Sequence, residues 1–325
     1  MRRLTVGAEL CVSHIGLGLG GFGTRVRGAE AEEVLSGYLA AGGNFLDTAH
    51  CYACWAPEGA GCSERELGRC LQRLGLRSQV LIATKGGHPT FGESYLRPDA
   101  FLSPERIEAD ALESLERMGV DQIDLYYLHR DDPRVPVDEI HDALESLVLA
   151  GMVRETGSSN WSLERLTAYE ACARKDGGRG FAINQYQWSL AVPRWQPGSD
   201  PTTRYVTSEL AAFHREQRLP IAAYTPTAQG FFAGRSHADG NFGTELNQRL
   251  RDRVSALATE LTATPTQIAL AWLIQQSPVA VPLLGTGDIA HLMEGLGAAD
   301  ILLPDTVVQE LNSLRSPAAF GEPTE

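Results

Sequence analysis

Eight short apolar runs, separated by segments of helical periodicity, constrain this chain more than any other feature. They read IGLGLG (15–20), NFLDTA (44–49), VLIATK (80–85), DLYYLH (124–129), VRETGSSN (153–160), FAINQYQ (181–187), LPIAAYTP (219–226) and VAVPLLG (279–285). A strand that is apolar along its whole length needs cover on both faces, which a parallel sheet wrapped by helices provides. The segments between the runs supply that cover. Val34, Leu35, Tyr38 and Leu39 share one helical face, as do Ile107, Ala111, Leu112 and Leu115. Ser63-Glu64-Arg65-Glu66 and Thr264-Pro265-Thr266-Gln267 each fit a capping box, and Ser103-Pro104 offers an N-cap followed by proline at the first helical position. Eight βα units predict an α/β fold, a (β/α)8 TIM barrel, with residues 1–325 as one domain. An N-terminal β-hairpin (LTVG, then AELCVS) precedes the barrel and extra C-terminal helices complete it.

An open doubly wound sheet is the competing architecture. GLGLGGFG (16–23), a helix and a strand ending in Asp47 imitate the dinucleotide fingerprint, in which glycines open the helix and an acid holds a ribose. Here TRVRGAE stands between Gly23 and the first periodic helical residues, so the glycines do not open that helix, and eight units favour closure.

At 325 residues and 43% hydrophobic, the chain can bury a core of this size. A net charge of −13 argues against nucleic acid as a partner, because binding a phosphate backbone needs clustered Lys and Arg. The opening MRRLTVGAELCVSHIG has no apolar h-region, and no run of about 18 apolar residues occurs. The expectation is a cytoplasmic protein with no membrane partner. Cys51, Cys54 and Cys62 raise the question of zinc, but neither a second close pair nor a His pair accompanies them, so no metal is expected.

The strand ends carry the chemistry. The second barrel strand delivers Asp47 and then Tyr52, the third ends in Lys85, and the fourth ends in His129. A closed barrel converges these ends on one rim. Taken singly, the aspartate is explained as a cap, the lysine as a snorkelling side chain and the histidine as a core residue. Together, an acid, a phenol, an ammonium and an imidazole on three successive strand ends are difficult to explain by packing.

These residues resemble the aldo-keto reductases, and the resemblance covers nearly the whole chain. NFLDTAHCY with GCSERELG is similar to that family's Asp-to-Tyr segment, IATK to its lysine strand, and DLYYLHRDDP to its histidine strand. GSSNW, NQYQWSL and AYTPTAQGFFAGR are similar to its cofactor-binding segments. The resemblance implies carbonyl reduction by a tetrad of Asp47, Tyr52, Lys85 and His129. Chemically, reduction adds hydride to carbon and a proton to oxygen. Tyr52 is then the acid. Lys85 lowers its pKa by favouring phenolate, Asp47 keeps Lys85 charged, and a neutral His129 orients the substrate oxygen. The hydride must come from a reduced nicotinamide, since no side chain donates one.

By the same resemblance, Ser159, Asn160 and Gln185 hold the nicotinamide carboxamide, Tyr224 stacks on the ring, and the loop from Thr225 through Gly230 to Gly234 wraps the pyrophosphate. Where many relatives place Lys or Arg after the last strand to grip a 2′-phosphate, this chain reads LLGTGDIAHLMEG and offers Gly285, Thr286, Asp288 and His291 without a fixed positive charge. Asp288 reads equally as a ribose acceptor and as a helix N-cap. The expected cofactor is NAD(P)H, with weaker discrimination than the family's NADPH default, unless Arg235 in the loop after the seventh strand supplies the charge. Trp55, His88, Arg130, Trp161 and Trp188 are the expected pocket lining for a small-molecule carbonyl substrate, and their mixture of aromatic and polar groups suits a sugar or keto-sugar. A non-catalytic, cofactor-binding regulatory barrel is the alternative, and the intact tetrad counts against it.

Overall fold

The computed structural model describes residues 1–175, 177–194, 200 and 202–315. Strands β1 (Arg3–Val6) and β2 (Leu10–Ser13) form an antiparallel hairpin. Eight parallel strands then close into a barrel: β3 (Gly16–Gly18), β4 (Phe45–Asp47), β5 (Leu81–Gly86), β6 (Ile123–Leu128), β7 (Val153–Ser159), β8 (Ile183–Gln187), β9 (Ile221–Tyr224) and β10 (Ala280–Leu284), with β10 pairing back onto β3. Each strand falls on one of the eight apolar runs, β5 and β6 passing the end of theirs by one residue, and closure confirms the barrel over the open sheet.

Helices α1 (Ala29–Ala40), α2 (Cys62–Leu74), α3 (Pro104–Met118), α4 (Val137–Leu149), α5 (Leu163–Lys175) and α6 (Ser208–Gln217) follow the first six barrel strands in turn. After β9 come a short α7 (Asp239–Phe242), α8 (Glu245–Glu260) and α9 (Pro265–Ile274); after β10 come α10 (Ile289–Leu296) and α11 (Asp305–Arg315). Two buried layers result. Phe45, Ala83, Leu125, Tyr127, Ile183, Ala222, Val281 and Leu283 pack together with the hairpin residues Val6, Leu10 and Val12. The larger cluster, including Leu46, Ile82, Tyr126 and Leu128, joins the strands to the helices. Alternation along β5 and β6 thus sorts neighbouring residues into opposite layers, as strand geometry requires. Glu155 of β7 accepts from the Ala8 N–H at 2.7 Å, which ties the hairpin turn to the barrel.

The helix starts divide. Thr264 and Gln267 form the full capping box of α9, and Pro104 opens α3. Ser63 does not cap α2. Gly61 holds the N-cap position at φ 76°, and Ser63 lies inside the first turn, where its Oγ lies 2.8 Å from the Leu19 carbonyl and 2.7 Å from Thr48 Oγ1. Glu64 is buried and accepts from Thr84 Oγ1 at 2.7 Å and from Arg117 at 3.1 Å. Burial against the strands therefore takes the hydroxyl that sequence pattern assigned to capping, and Glu66, the box carboxylate, accepts instead from the Gly28 N–H at 2.7 Å and from Arg69 at 2.8 Å. Among the described residues, no helix is long and apolar enough to cross a membrane.

Candidate active site

Parallel strands carry their carboxyl ends to one rim, and register sets the depth of each side chain there. Asp47 pairs with Ala83, Lys85 with Tyr127, and Leu128 with Ser158. Beyond β4 the chain follows the end of β5, with the Thr48 N–H donating to Ala83 O and the His50 N–H to Lys85 O, both at 2.9 Å. The residues after His50 turn back over Lys85, with Ala53 held at φ 69°. A non-glycine residue in that region costs roughly 1–3 kcal/mol and persists only where its surroundings enforce it.

Four predicted residues meet at the centre. The Lys85 Nζ donates to Asp47 Oδ1 at 2.6 Å, to the Thr48 carbonyl at 2.7 Å and to Tyr52 Oη at 2.9 Å, so all three ammonium hydrogens are used. Gln185 Nε2 donates to the other Asp47 oxygen at 2.8 Å. Lys85 and Asp47 are buried, whereas Tyr52 keeps one face open. The His129 ring stands edge-on to Tyr52 at 5.9 Å, and its Nδ1 lies 3.4 Å from Cys51 Sγ.

Charge balance in this cluster sets the Lys85 effect on Tyr52 against burial. Burial opposes the Lys85 ammonium, but Asp47 and then Tyr52 outweigh it and hold Lys85 above its ordinary value. Burial raises the Asp47 carboxyl against the pull of Lys85. Burial likewise raises the Tyr52 phenol, and although Lys85 pulls it down, the net shift is upward. Lys85 acts on the phenol in the expected downward direction, but burial, with Asp47 behind it, outweighs that pull. His129 is held well below the ordinary imidazole value by burial first and then by Arg130, His88 and Lys85, so it is neutral.

A second group borders the tetrad. Asn160, at φ 61°, accepts at Oδ1 from Tyr224 Oη at 2.8 Å and from the Arg204 N–H at 2.9 Å, and its Nδ2 donates to Ser159 Oγ at 2.8 Å. Ser159 and Gln185 occupy paired positions on β7 and β8. The ends of β7, β8 and β9 thus present two amides, a hydroxyl and a partly open phenol beside Asp47 and Lys85. That donor and acceptor set fits a carboxamide-bearing ring. Next to it, Thr225, Ala228, Gln229 and Gly230 all have positive φ, a strained turn of the kind that shapes binding loops. A Cβ at Gly285 would meet nothing within 4 Å, which leaves the last strand end open to close approach.

Asp288 is the N-cap of α10, accepting from the N–H groups of Ala290 at 2.8 Å and His291 at 3.1 Å, while Thr286 Oγ1 accepts from the Asp288 N–H at 3.0 Å. A positive charge does arrive there, from another part of the chain. Arg235 Nη2 donates to His291 Nε2 at 2.9 Å, and His291 Nδ1 lies 3.5 Å from Asp288 Oδ2.

On the substrate side, His88 lies 5.0 Å from the His129 ring, and Trp55 makes edge contacts with Tyr52 at 6.4 Å and with Phe91 at 6.2 Å. Trp55 and Phe91 are 59% and 47% exposed, which marks an aromatic wall at the rim. Arg130 follows His129 and is held by Thr202 Oγ1 at 2.8 Å and Asp200 at 3.0 Å. Trp161 and Trp188 do not join this wall. Both are buried in the larger core, and Trp161 packs against Tyr169 and Phe181 on the helix side because its strand end turns it outward. Sequence reasoning missed Phe91, whose long loop gives no periodic signal, and gave Cys51 no catalytic place. Of the three thiols considered for zinc, Cys51 faces His129 and packs with Cys54, whereas Cys62 faces the Phe22 carbonyl.

Comparison with known proteins agrees with this geometry. The chain is 30% identical over 318 residues to a probable aldo-keto reductase 1 of Glycine max, spanning 92% of this chain and 84% of that protein. It is 30% identical over 288 residues to a Schizosaccharomyces pombe aldo-keto reductase named for NADP(+), spanning 83% of this chain and 78% of the relative. Among solved structures, it resembles an aldo-keto reductase from Klebsiella pneumoniae in complex with NADPH, with a TM-score of 0.75 and 25% identity over 99% of this chain and 97% of that one. Residues 14–316 match the profile of the Aldo/keto reductase family, and the chain belongs to that family.

Proposed function

We propose that the protein is an NAD(P)H-dependent reductase that converts an aldehyde or ketone to the alcohol, with Tyr52 as the general acid. The observation that carries this reading is the Lys85 ammonium, which contacts Asp47 at 2.6 Å and Tyr52 at 2.9 Å at once. When bound, a reduced nicotinamide supplies the hydride. Ser159, Asn160 and Gln185 would hold its carboxamide and Tyr224 would cover its ring, while Thr225 to Gly230 and Gly285 to His291 would border its phosphate and adenosine end. The NADP(+) in the name of the fungal relative and the NADPH bound in the bacterial neighbour support this choice.

The remaining work falls to this chain's own side chains. Neutral His129 donates to the carbonyl oxygen and fixes it near Tyr52 Oη. Because the phenol is held high, it keeps its proton at rest. It gives that proton up as the oxygen becomes an alkoxide, a stronger base than phenolate. The phenolate left behind receives the Lys85 hydrogen bond, a contact that strengthens only as negative charge develops. Asp47 keeps Lys85 in its charged form throughout.

For substrate, the Trp55–Phe91 wall, with His88 packed edge-on to Phe91 and the polar Arg130 beyond His129, favours a hydroxylated carbonyl compound such as a sugar or keto-sugar. Cys11, Cys51, Cys54, Cys62 and Cys70 are free thiols, which suits a cytoplasmic, reducing setting for a one-domain enzyme. The test is cofactor consumption with a panel of aldehydes and keto-sugars, comparing wild type with Tyr52→Phe. The variant should bind cofactor normally and turn over about 100-fold more slowly or worse, as expected for a lost general acid. Near-normal turnover in the variant overturns the assignment. A wild type that binds cofactor but consumes none favours the regulatory barrel.

A further inference from the structure

We propose that Cys51 holds the His129 imidazole in the tautomer that presents Nε2–H to the substrate oxygen, and so acts as a positioning residue for the reaction; this rests on the reductase reading above. Cys51 Sγ lies 3.4 Å from His129 Nδ1, and both residues are buried. The other close neighbours of the ring are aromatic edges, His88 at 5.0 Å and Tyr52 at 5.9 Å. The thiol is therefore the polar contact that distinguishes one ring nitrogen from the other among the described residues.

A neutral imidazole carries one donor and one acceptor nitrogen, and the partner of one decides the role of the other. If Nδ1 held the proton, it would meet only sulfur, a weak acceptor. Nε2 would then turn a lone pair toward a carbonyl oxygen that is about to become negative. If the Sγ–H donates to Nδ1, Nε2 carries the hydrogen and meets that oxygen as a donor. The thiol is able to donate because it remains protonated: burial, and after it the neighbouring Cys54, push its pKa up to about 12. Ala49, Cys54 and Tyr95 pack around Cys51 and fix its direction.

Three variants separate this role from space-filling. Cys51→Ala removes the donor, Cys51→Val replaces it with apolar bulk, and Cys51→Ser restores a donor. Alanine and valine should each lower kcat by about three- to tenfold, the span of a modest hydrogen bond, with KM changed less than about twofold. Serine should recover most of the loss. The deciding measurement is the 15N spectrum of ring-labelled histidine in the protein without substrate, with the His129 signal assigned by its disappearance in His129→Gln. Wild type should show Nε2–H, and alanine should shift the population toward Nδ1–H. A wild-type ring protonated at Nδ1, or an alanine variant with an unchanged tautomer, overturns the proposal. So does an equal loss in all three variants. The tautomer is read without turnover, so a wild type that reduces no carbonyl would count against the reductase reading alone.

Discussion

Replacing Lys85 with methionine keeps the aliphatic stem and removes the charge, which isolates the ammonium from its packing. Asp47 would then be a buried carboxylate whose remaining side-chain donor is Gln185 at 2.8 Å. Breaking a buried pair by deleting one partner costs about 3–5 kcal/mol, unless the stranded group takes up a proton. Asp47 is already raised by burial, and Lys85 is the main group holding it down. Its folded pKa should therefore climb further above the unfolded value of about 3.9. Between those two values the folded variant holds a proton that the unfolded chain has released, so its stability must fall as pH rises through that window. Below about 3.9 both states are protonated and this dependence ends. Urea unfolding followed by tryptophan fluorescence should show Lys85→Met weakened by about 3–5 kcal/mol at pH 8. Acidification should return up to about 1.4 kcal/mol per pH unit relative to wild type. Lys85→Met with Asp47→Asn should recover much of the loss with no such slope. A single variant that loses under about 1 kcal/mol, with no pH dependence relative to wild type, would refute the buried pair as described. In catalysis, the same variant should bind cofactor and fail in the chemical step.

Two further outcomes follow from the rim. Arg235 should carry the discrimination for a 2′-phosphate: Arg235→Ala should weaken NADPH binding about tenfold at low salt and leave NADH nearly unchanged, since a charge-assisted bond is worth roughly 1.5–3 kcal/mol before screening. Equal affinity losses for both cofactors in titrations would rule that role out. Trp55→Ala should raise KM by about fivefold through loss of an aromatic contact worth ~1 kcal/mol, with kcat changed little. A collapse of kcat at constant KM would instead place Trp55 in the chemical step.

How much of this was legible in the sequence depends on whether the signal lay along the chain or across it. Apolar runs, a strand-end Asp47 and a capping box at Thr264–Gln267 are local patterns, and each has its counterpart in the structure. Ser63 carries the same local pattern as Thr264, yet it is buried and bonded toward Leu19 and Thr48, partners 44 and 15 residues away. Trp161 follows a correctly placed strand, but one further residue of strand alternation decides whether a side chain faces the pocket or the helices. Arg235 shows the same limit from the opposite side. Its partner His291 lies 56 residues on, and the pairing of β10 with β9 makes them neighbours.

Cofactor choice is where local and through-space information must be combined. The segment from Gly285 to His291 lacks Lys and Arg, and its carboxylate is committed to the start of α10 by two backbone N–H donors. Asp288 also faces His291, whose other nitrogen accepts from Arg235, so the segment orients a cation that it does not supply. Placing an arginine within the segment would not reproduce this arrangement. At Gly287 a Cβ would stand 2.2 Å from Val26 Cγ2, so any side chain there displaces the loop that packs under it. We therefore expect any 2′-phosphate grip to come from the loop after β9. That loop's strained turn, with Gly230 at φ 83° and a Cβ there only 2.7 Å from Arg235 Cγ, is what lets the arginine side chain lie across it. Gly230→Ala should consequently loosen Arg235 and reduce NADPH selectivity without touching the tetrad.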